Sequence, residues 1–200
     1  LEKGTSITIG NAFLLVSGLH IKADHYQGSA QIAHRTVTRE DMEEAQRTAR
    51  MMTLPPDREL LDIVEGNYTI DGYGGTTTPE GMAGRILRLD TIHIHADAKH
   101  INNARAAAGE AHLELRDPLF ATTCAADAVL TDAEKRDGVM VLDMGGGSTG
   151  HAIYVGGVLA TAGGIGVGGG HLTRDEASPC RTTPPPAGEP KRTAASPTAR

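Results

Sequence analysis

Asp143-Met144-Gly145-Gly146-Gly147-Ser148-Thr149 is the stretch whose residue types and order point most directly to chemistry. Glycine backbones let a bulky anion approach closely and admit positive φ. Successive N–H groups of such a turn form an anion-binding nest, to which the Ser148 and Thr149 hydroxyls add donors. A hydrogen bond to a charged phosphate contributes about 1.5–3 kcal/mol. Asp143 repels a phosphate unless a cation lies between them. Mg²⁺, which takes one or two carboxylates and keeps its waters, is the natural bridge. The same residues also suit a plain glycine hairpin whose strand-terminal Asp caps its own turn. Downstream, Gly168 and Gly169 are placed to open a helix with its N-terminus toward the same anion.

Other candidates carry less. Gly164-x-Gly166-x-x-Gly169 matches the dinucleotide fingerprint literally, but no second strand ending in an acidic residue follows it. His93-x-His95 puts two imidazoles on one strand face, a geometry metals use, yet no third ligand stands at a suitable spacing beyond His100. A solvated strand face is the expectation there. His171 suits a phosphate contact or a helix cap equally. No Gly-x-Ser-x-Gly elbow supplies a hydrolase nucleophile. Cys124, on the inner side of an Ala-rich helix, reads as core rather than catalytic.

The elements that must position these residues follow from periodicity. Val139 to Leu142 is a buried-strand run ending on Asp143, and two further strands flank Gly156-Gly157. Upstream, Ile7–Val16 and Leu19–Ile21 read as strands, Gly28 as a turn, and Gln31–Val37 as another strand. Thr38-x-x-Asp41 predicts a capped helix with Met42, Ala45, Ala49 and Met52 on one stripe, stopped by Pro55-Pro56. Two short strands, Leu60–Val64 and Tyr68–Ile70, precede a loop over Gly72–Gly84. Leu87 and Leu89 differ in parity from Ile92 and Ile94, so a bulge near Asp90-Thr91 is expected to bring all four to one face. Asp97 caps a helix to Ala108 with Ile101, Ala104 and Ala108 inward. Asp117-Pro118 predicts a helix start running to Leu130, and Thr131-x-x-Glu134 one more turn. Strands and helices in this mixture define an α/β chain.

Composition narrows the function classes. A net charge of -6 argues against nucleic acid as a partner. Cys124 and Cys180 form no disulfide framework, so a reducing cytoplasm is the default. The longest apolar run, Ala12 to Val16, is far below the roughly 20 residues a membrane helix needs, so no membrane segment is expected. From Glu176 to Arg200 there is no Val, Ile, Leu, Met, Phe or Tyr, and six of the ten prolines fall there. Such a stretch buries too little apolar surface to order itself. A shifted reading frame is the expected origin, since the change falls inside a starting helix.

Val141 to Thr149, followed by a strand, a Gly turn and a strand, resembles the second phosphate motif of the actin/Hsp70/sugar-kinase superfamily. Further matches run in order along the chain and resemble the FtsA-type cell-division proteins. They are Val16-Ser17-Gly18-Leu19-His20-Ile21, Thr38-Arg39-Glu40-Asp41, Leu54 to Glu59, Asp71-Gly72 with Pro79 to Gly84, Ala128 to Thr131, and Gly166 to Thr173. The resemblance implies a truncated piece of an actin-like ATPase fold with an inserted small α/β subdomain. It implies that residues 1–96 are that subdomain, used for self-association and partner contacts. Residues 97–138 become part of the first nucleotide-cleft lobe, 139–175 the start of the second, and 176–200 a tail. It implies ATP and Mg²⁺ as cofactors in the intact protein, with Asp143 toward the metal. The phosphates fall to Gly145, Gly146, Gly147, Ser148, Thr149, Gly168 and Gly169. It implies a division scaffold at the inner face of the cell membrane, with the tubulin-like FtsZ among its partners and at most slow ATP hydrolysis. Gly150 departs from the family pattern, which has an Asp there, and this touches metal handling. Pilus-assembly actin homologues and phosphoryl-transfer enzymes of the same superfamily are the alternative readings.

Overall fold

The computed structural model describes residues 10–171 and 173. Its strands and helices follow in the order β1 (Asn11–Val16), β2 (Lys22–Gln31), α1 (Arg39–Arg50), β3 (Arg58–Ile70), β4 (Tyr73–Thr76), β5 (Ile86–Asp97) and α2 (Ala98–Glu110). Then come β6 (Glu114–Phe120), α3 (Ala121–Val129), α4 (Asp132–Asp137), β7 (Val139–Met144), β8 (Thr149–Val155) and β9 (Val158–Ile165). Three sheets result: a parallel pair β1-β6, a four-stranded β2-β5-β3-β4, and a three-stranded antiparallel β7-β8-β9. The expected α/β character is the observed one.

β5 organises the middle of the chain because it is buried on both faces. It pairs with β2 from Lys22↔His95 to Gln31↔Ile86 without any shift. The bulge expected near Asp90-Thr91 is therefore not in this strand. Leu87 and Leu89 instead face a core with Ala30, Ile32, Val37, Ala45, Tyr68 and Ile70. Ile92, Ile94 and Ala96 face a second core that includes Val16, Ile21, Ile101, Phe120, Ala152 and Tyr154. The change of parity marks a strand serving two cores, one on each side. The irregularity lies on β3, where Gly66 and Asn67 stand opposite Asp90 between the Glu65↔Thr91 and Tyr68↔Leu89 pairs. β3 is thus one bulged strand where two were expected.

Gly28 is not a turn residue. It sits inside β2, where a Cβ would fall 2.0 Å from the Ala45 carbonyl oxygen and 2.7 Å from the Ala49 nitrogen. Helix α1 lies with its backbone on the strand, through the stripe formed by the buried Ala45 and Ala49. Glycine at this position marks a close backbone approach. Residues 32–37 form a loop with a single bridge, Thr36↔Ala83, and 19–21 form a turn rather than a strand.

The local helix signals hold where their partners are near in sequence. Thr38 Oγ1 accepts from the Asp41 N–H, and the Thr38 N–H donates to Asp41 Oδ2 at 2.8 Å. Asp97 accepts from the Lys99 N–H at 2.8 Å, and Thr131 and Glu134 repeat the reciprocal box at α4. Asp117-Pro118 is the exception. Both residues lie inside β6, and α3 starts at Ala121 after Phe120, with no side-chain cap. The β1-β6 register shifts between Ala12↔Leu115 and Leu14↔Pro118. A proline, having no N–H, is tolerated at such an irregularity in an edge strand.

A candidate phosphate-binding hairpin

β7 and β8 pair from Val139↔Tyr154 to Met144↔Thr149, so residues 145–148 are a hairpin connection. The Gly145 N–H closes it on the Ser148 carbonyl at 2.9 Å. None of Gly145, Gly146 and Gly147 takes a left-handed φ. The expected use of positive φ is absent, and the turn is not a nest of alternating hand. Space is what distinguishes these glycines. At Gly146 and Gly147 a Cβ would meet nothing within 4 Å, and both are exposed. Among the described residues their N–H groups have no backbone partner. Nothing in the rest of the described chain requires glycine at these two positions.

The downstream glycines dock on this hairpin. A helix opens at Gly169, and the Gly169 and Gly170 N–H groups donate to the Gly145 and Gly146 carbonyls, each at 2.8 Å. A Cβ on Gly168 would fall 2.6 Å from the Gly145 oxygen. The first-turn donors are thus directed at the hairpin and not at an external anion. In this arrangement Gly168 and Gly169 brace the hairpin. His171 caps the same helix, its Nδ1 accepting from the Gly168 N–H at 3.2 Å. Thr149 is buried, and its hydroxyl donates to the Val167 carbonyl at 2.6 Å, which ties β8 to the second glycine segment. Its proton is therefore committed within the chain, whereas Ser148 stays half-exposed.

Asp143 is half-buried at the end of β7 and makes no ion pair among the described residues. It stands opposite Gly150. A Cβ on Gly150 would lie 1.9 Å from Thr122 Oγ1 and 3.6 Å from Phe120 Cζ. Thr122, the second residue of α3, is 0% exposed, and among the described residues its hydroxyl has no hydrogen-bond partner. Nothing in the sequence singled Thr122 out, because its neighbour is defined only by tertiary packing.

The set-aside motifs have structural explanations. Gly164 still belongs to β9, antiparallel to β8, and a Cβ there would be 2.2 Å from the Gly18 carbonyl oxygen. That glycine serves a backbone crossing and not a βαβ fingerprint. His93 and His95 do not form a solvated face; they are 1% and 2% exposed. His95 Nδ1 accepts from Arg58 Nε at 2.8 Å, and His95 Nε2 meets Asp24 Oδ2 at 2.9 Å. Among the described residues His93 Nε2 has no partner, and burial first, then the neighbouring His95, lower its pKa. Among the described residues no group of three His, Cys, Asp or Glu is placed to hold a metal ion. Cys124 is half-buried and belongs to neither core cluster, and burial raises its thiol pKa, which suits an unreactive side chain. Cys180 and the 176–200 tail lie outside the described residues.

Comparison with known proteins bears on the same elements. Residues 18–95 match the SHS2 domain inserted in FTSA. The cell division protein FtsA of Neisseria meningitidis serogroup B is 35% identical over 182 residues, covering 90% of this chain and 42% of that protein. FtsA of Escherichia coli K12 is 32% identical, with 88% and 42% covered, and FtsA of Pseudomonas aeruginosa is 31% identical, with 87% and 42% covered. In structure, the chain is similar to one from the PilM-PilN type IV pilus biogenesis complex. The TM-score is 0.62 at 18% identity, over 97% of this chain and 54% of that one. This likeness supports a partial actin-like fold. Among the described residues no helix is long and apolar enough to cross a membrane. An SHS2 domain of the FtsA kind at residues 18–95, with 35% identity to a cell division protein FtsA over 90% of the chain, makes this chain FtsA-like, spanning 42% of the length of the relatives it matches.

Proposed function

We propose that this chain is part of an actin-like division scaffold, and that its 143–149 hairpin holds the phosphates of ATP in the intact protein. The observation carrying this reading is the vacancy beside Gly146 and Gly147, where a Cβ would meet nothing within 4 Å and, among the described residues, the N–H groups have no backbone partner. Glycines that the fold does not need, on a hairpin fixed from behind by Gly169 and Gly170, suit an external group that approaches the backbone closely. Residues and group fit in this respect. Ser148 supplies a hydroxyl donor, Thr149 orients β8 through Val167, and Asp143 would hold Mg²⁺ through its waters. Bound there, Mg²⁺ would neutralise phosphate charge. With glycine at 150, one carboxylate rather than two serves the metal, in keeping with slow hydrolysis or none.

The inserted subdomain supplies contacts to further copies and to division partners, FtsZ being the partner of the intact scaffold at the inner face of the membrane. Edge strands β2 and β4 of the four-stranded sheet offer unpaired backbone for such contacts. The pilus-assembly reading has the weaker support, at 18% identity against 31–35% for the division proteins.

Titration with a fluorescent ATP analogue tests the site. This chain should fail to saturate at micromolar levels, because it carries one phosphate turn and spans 42% of its relatives' length. In a full-length relative, Asp143→Ala should weaken Mg·ATP binding more than His93→Ala does. Equal effects would remove the site. Sedimentation of the subdomain over a concentration series tests association, and a strict monomer would count against it.

A further inference from the structure

Val139 and Val141 of β7 pack on the core, and Asp143 shares their parity. Ala152 and Tyr154 of β8 are buried, and Gly150, opposite Asp143, shares theirs. Asp143 therefore leaves the sheet on the side that α3 covers. Opposed side chains of an antiparallel pair start about 4.5–5.5 Å apart. With glycine at 150 no second side chain starts there, and Thr122 Oγ1 fills the place, 1.9 Å from where a Cβ would stand. The hydroxyl is thus the cross-strand neighbour of Asp143. It also stands apart in its bonding. The buried Thr91, Thr123 and Thr149 each donate to a backbone carbonyl, of Tyr26, Phe120 and Val167 in turn. Thr122 is 0% exposed and has no partner among the described residues. Leaving a buried hydroxyl unpaired is unfavourable, so packing alone gives no reason for threonine where valine has the same shape.

We propose that Thr122 is the positioning residue for Asp143, its hydroxyl donating to a water that in turn donates to the inner oxygen of the carboxylate. The outer oxygen is then turned toward a divalent cation beside the hairpin. This inference rests on the reading that the 143–149 hairpin holds phosphates together with such a cation. A carboxylate at a strand end turns about two side-chain torsions, and a cation held through its waters needs it fixed. Carboxylates at metal sites are in turn hydrogen-bonded by groups behind them for this reason. One water spans a separation that the hydroxyl does not close directly. Gly150 belongs to the same device, because a side chain there would displace the hydroxyl. With Asp143 the one carboxylate on this hairpin, its orientation decides how well the cation is held.

The test uses the full 200-residue chain and Mn²⁺ alone, whose paramagnetism broadens the amide signals near it. Titrated to millimolar levels into the isotope-labelled chain, Mn²⁺ should broaden Gly145 to Thr149 first. Asp143→Asn should abolish this response. Thr122→Val keeps the shape without the hydroxyl, and should weaken Mn²⁺ binding about tenfold. Its urea midpoint should stay at or above that of the parent chain. Thr122→Ser, which keeps the hydroxyl, should bring binding back near the parent value. Parent-like binding in Thr122→Val, with Asp143→Asn still abolishing it, overturns the role of Thr122 and leaves the hairpin reading standing. Equal weakening in Thr122→Val and Thr122→Ser also overturns that role and assigns the loss to packing. Broadening that spares the hairpin, or that survives Asp143→Asn, overturns the hairpin reading and this inference with it.

Discussion

The Thr122 hydroxyl occupies the space in which a side chain at residue 150 would begin, its Oγ1 lying 1.9 Å from the Cβ position of Gly150. Gly150→Ala should therefore destabilise the chain by about 1–3 kcal/mol through overpacking. Thr122→Ala in the same chain should recover much of that loss, and Thr122→Val alone should be neutral or mildly stabilising, because it removes an unpartnered buried hydroxyl. Urea denaturation of the two single changes and the double gives the coupling. Strict additivity would show that the two residues do not share this space.

Gly28 and Gly146 make a second contrast. A Cβ at Gly28 would lie 2.0 Å from the Ala45 oxygen, and at Gly146 it would meet nothing within 4 Å. Gly28→Ala should cost about 1–3 kcal/mol or prevent folding, since α1 must lift from β2. Gly146→Ala should change stability by less than about 0.5 kcal/mol. In a full-length relative, the same change at the matching glycine should weaken nucleotide binding. Thermal melts and nucleotide titration read the two effects separately.

Acid should destabilise the inserted domain through His93. Its folded-state pKa is lowered by burial, then by His95, with Asp24 opposing. A group depressed in the folded state contributes stability that is fully present above its unfolded pKa, about 6.5, and is lost as pH falls from there toward the lowered value. His93→Phe should flatten that slope in urea midpoints measured across this window. An unchanged slope would assign the acid sensitivity to other groups.

The cap of α1 offers a smaller test. Thr38→Ala removes the acceptor for the Asp41 N–H and should cost about 1 kcal/mol, with Ser restoring most of it. Denaturant midpoints of the two variants decide this.

The sequence by itself determined the elements whose signals are local. Thr38 with Asp41, Asp97 with Lys99, and Thr131 with Glu134 bond within three residues, so their helices start where the residue types place them. The strands flanking the Gly145–Ser148 turn were legible for the same reason, as was the family, through short motifs in order. Tertiary structure decided everything whose partner lies far along the chain. Leu87 and Ile92 read as a bulge until α1 and the β7-β9 sheet supply a core for each face of β5. Gly28 read as a turn until the Ala45 carbonyl lies against it, and Asp117-Pro118 as a helix start until β1 pairs alongside. Within the candidate site, the glycine pattern gave the hairpin its character. That Gly168 and Gly169 would brace it, and that Thr122 would close on Gly150, depends on contacts between distant segments. A bond to a near neighbour is set by residue type and spacing, whereas the cost of closing a long loop is met only by the packing of the whole fold.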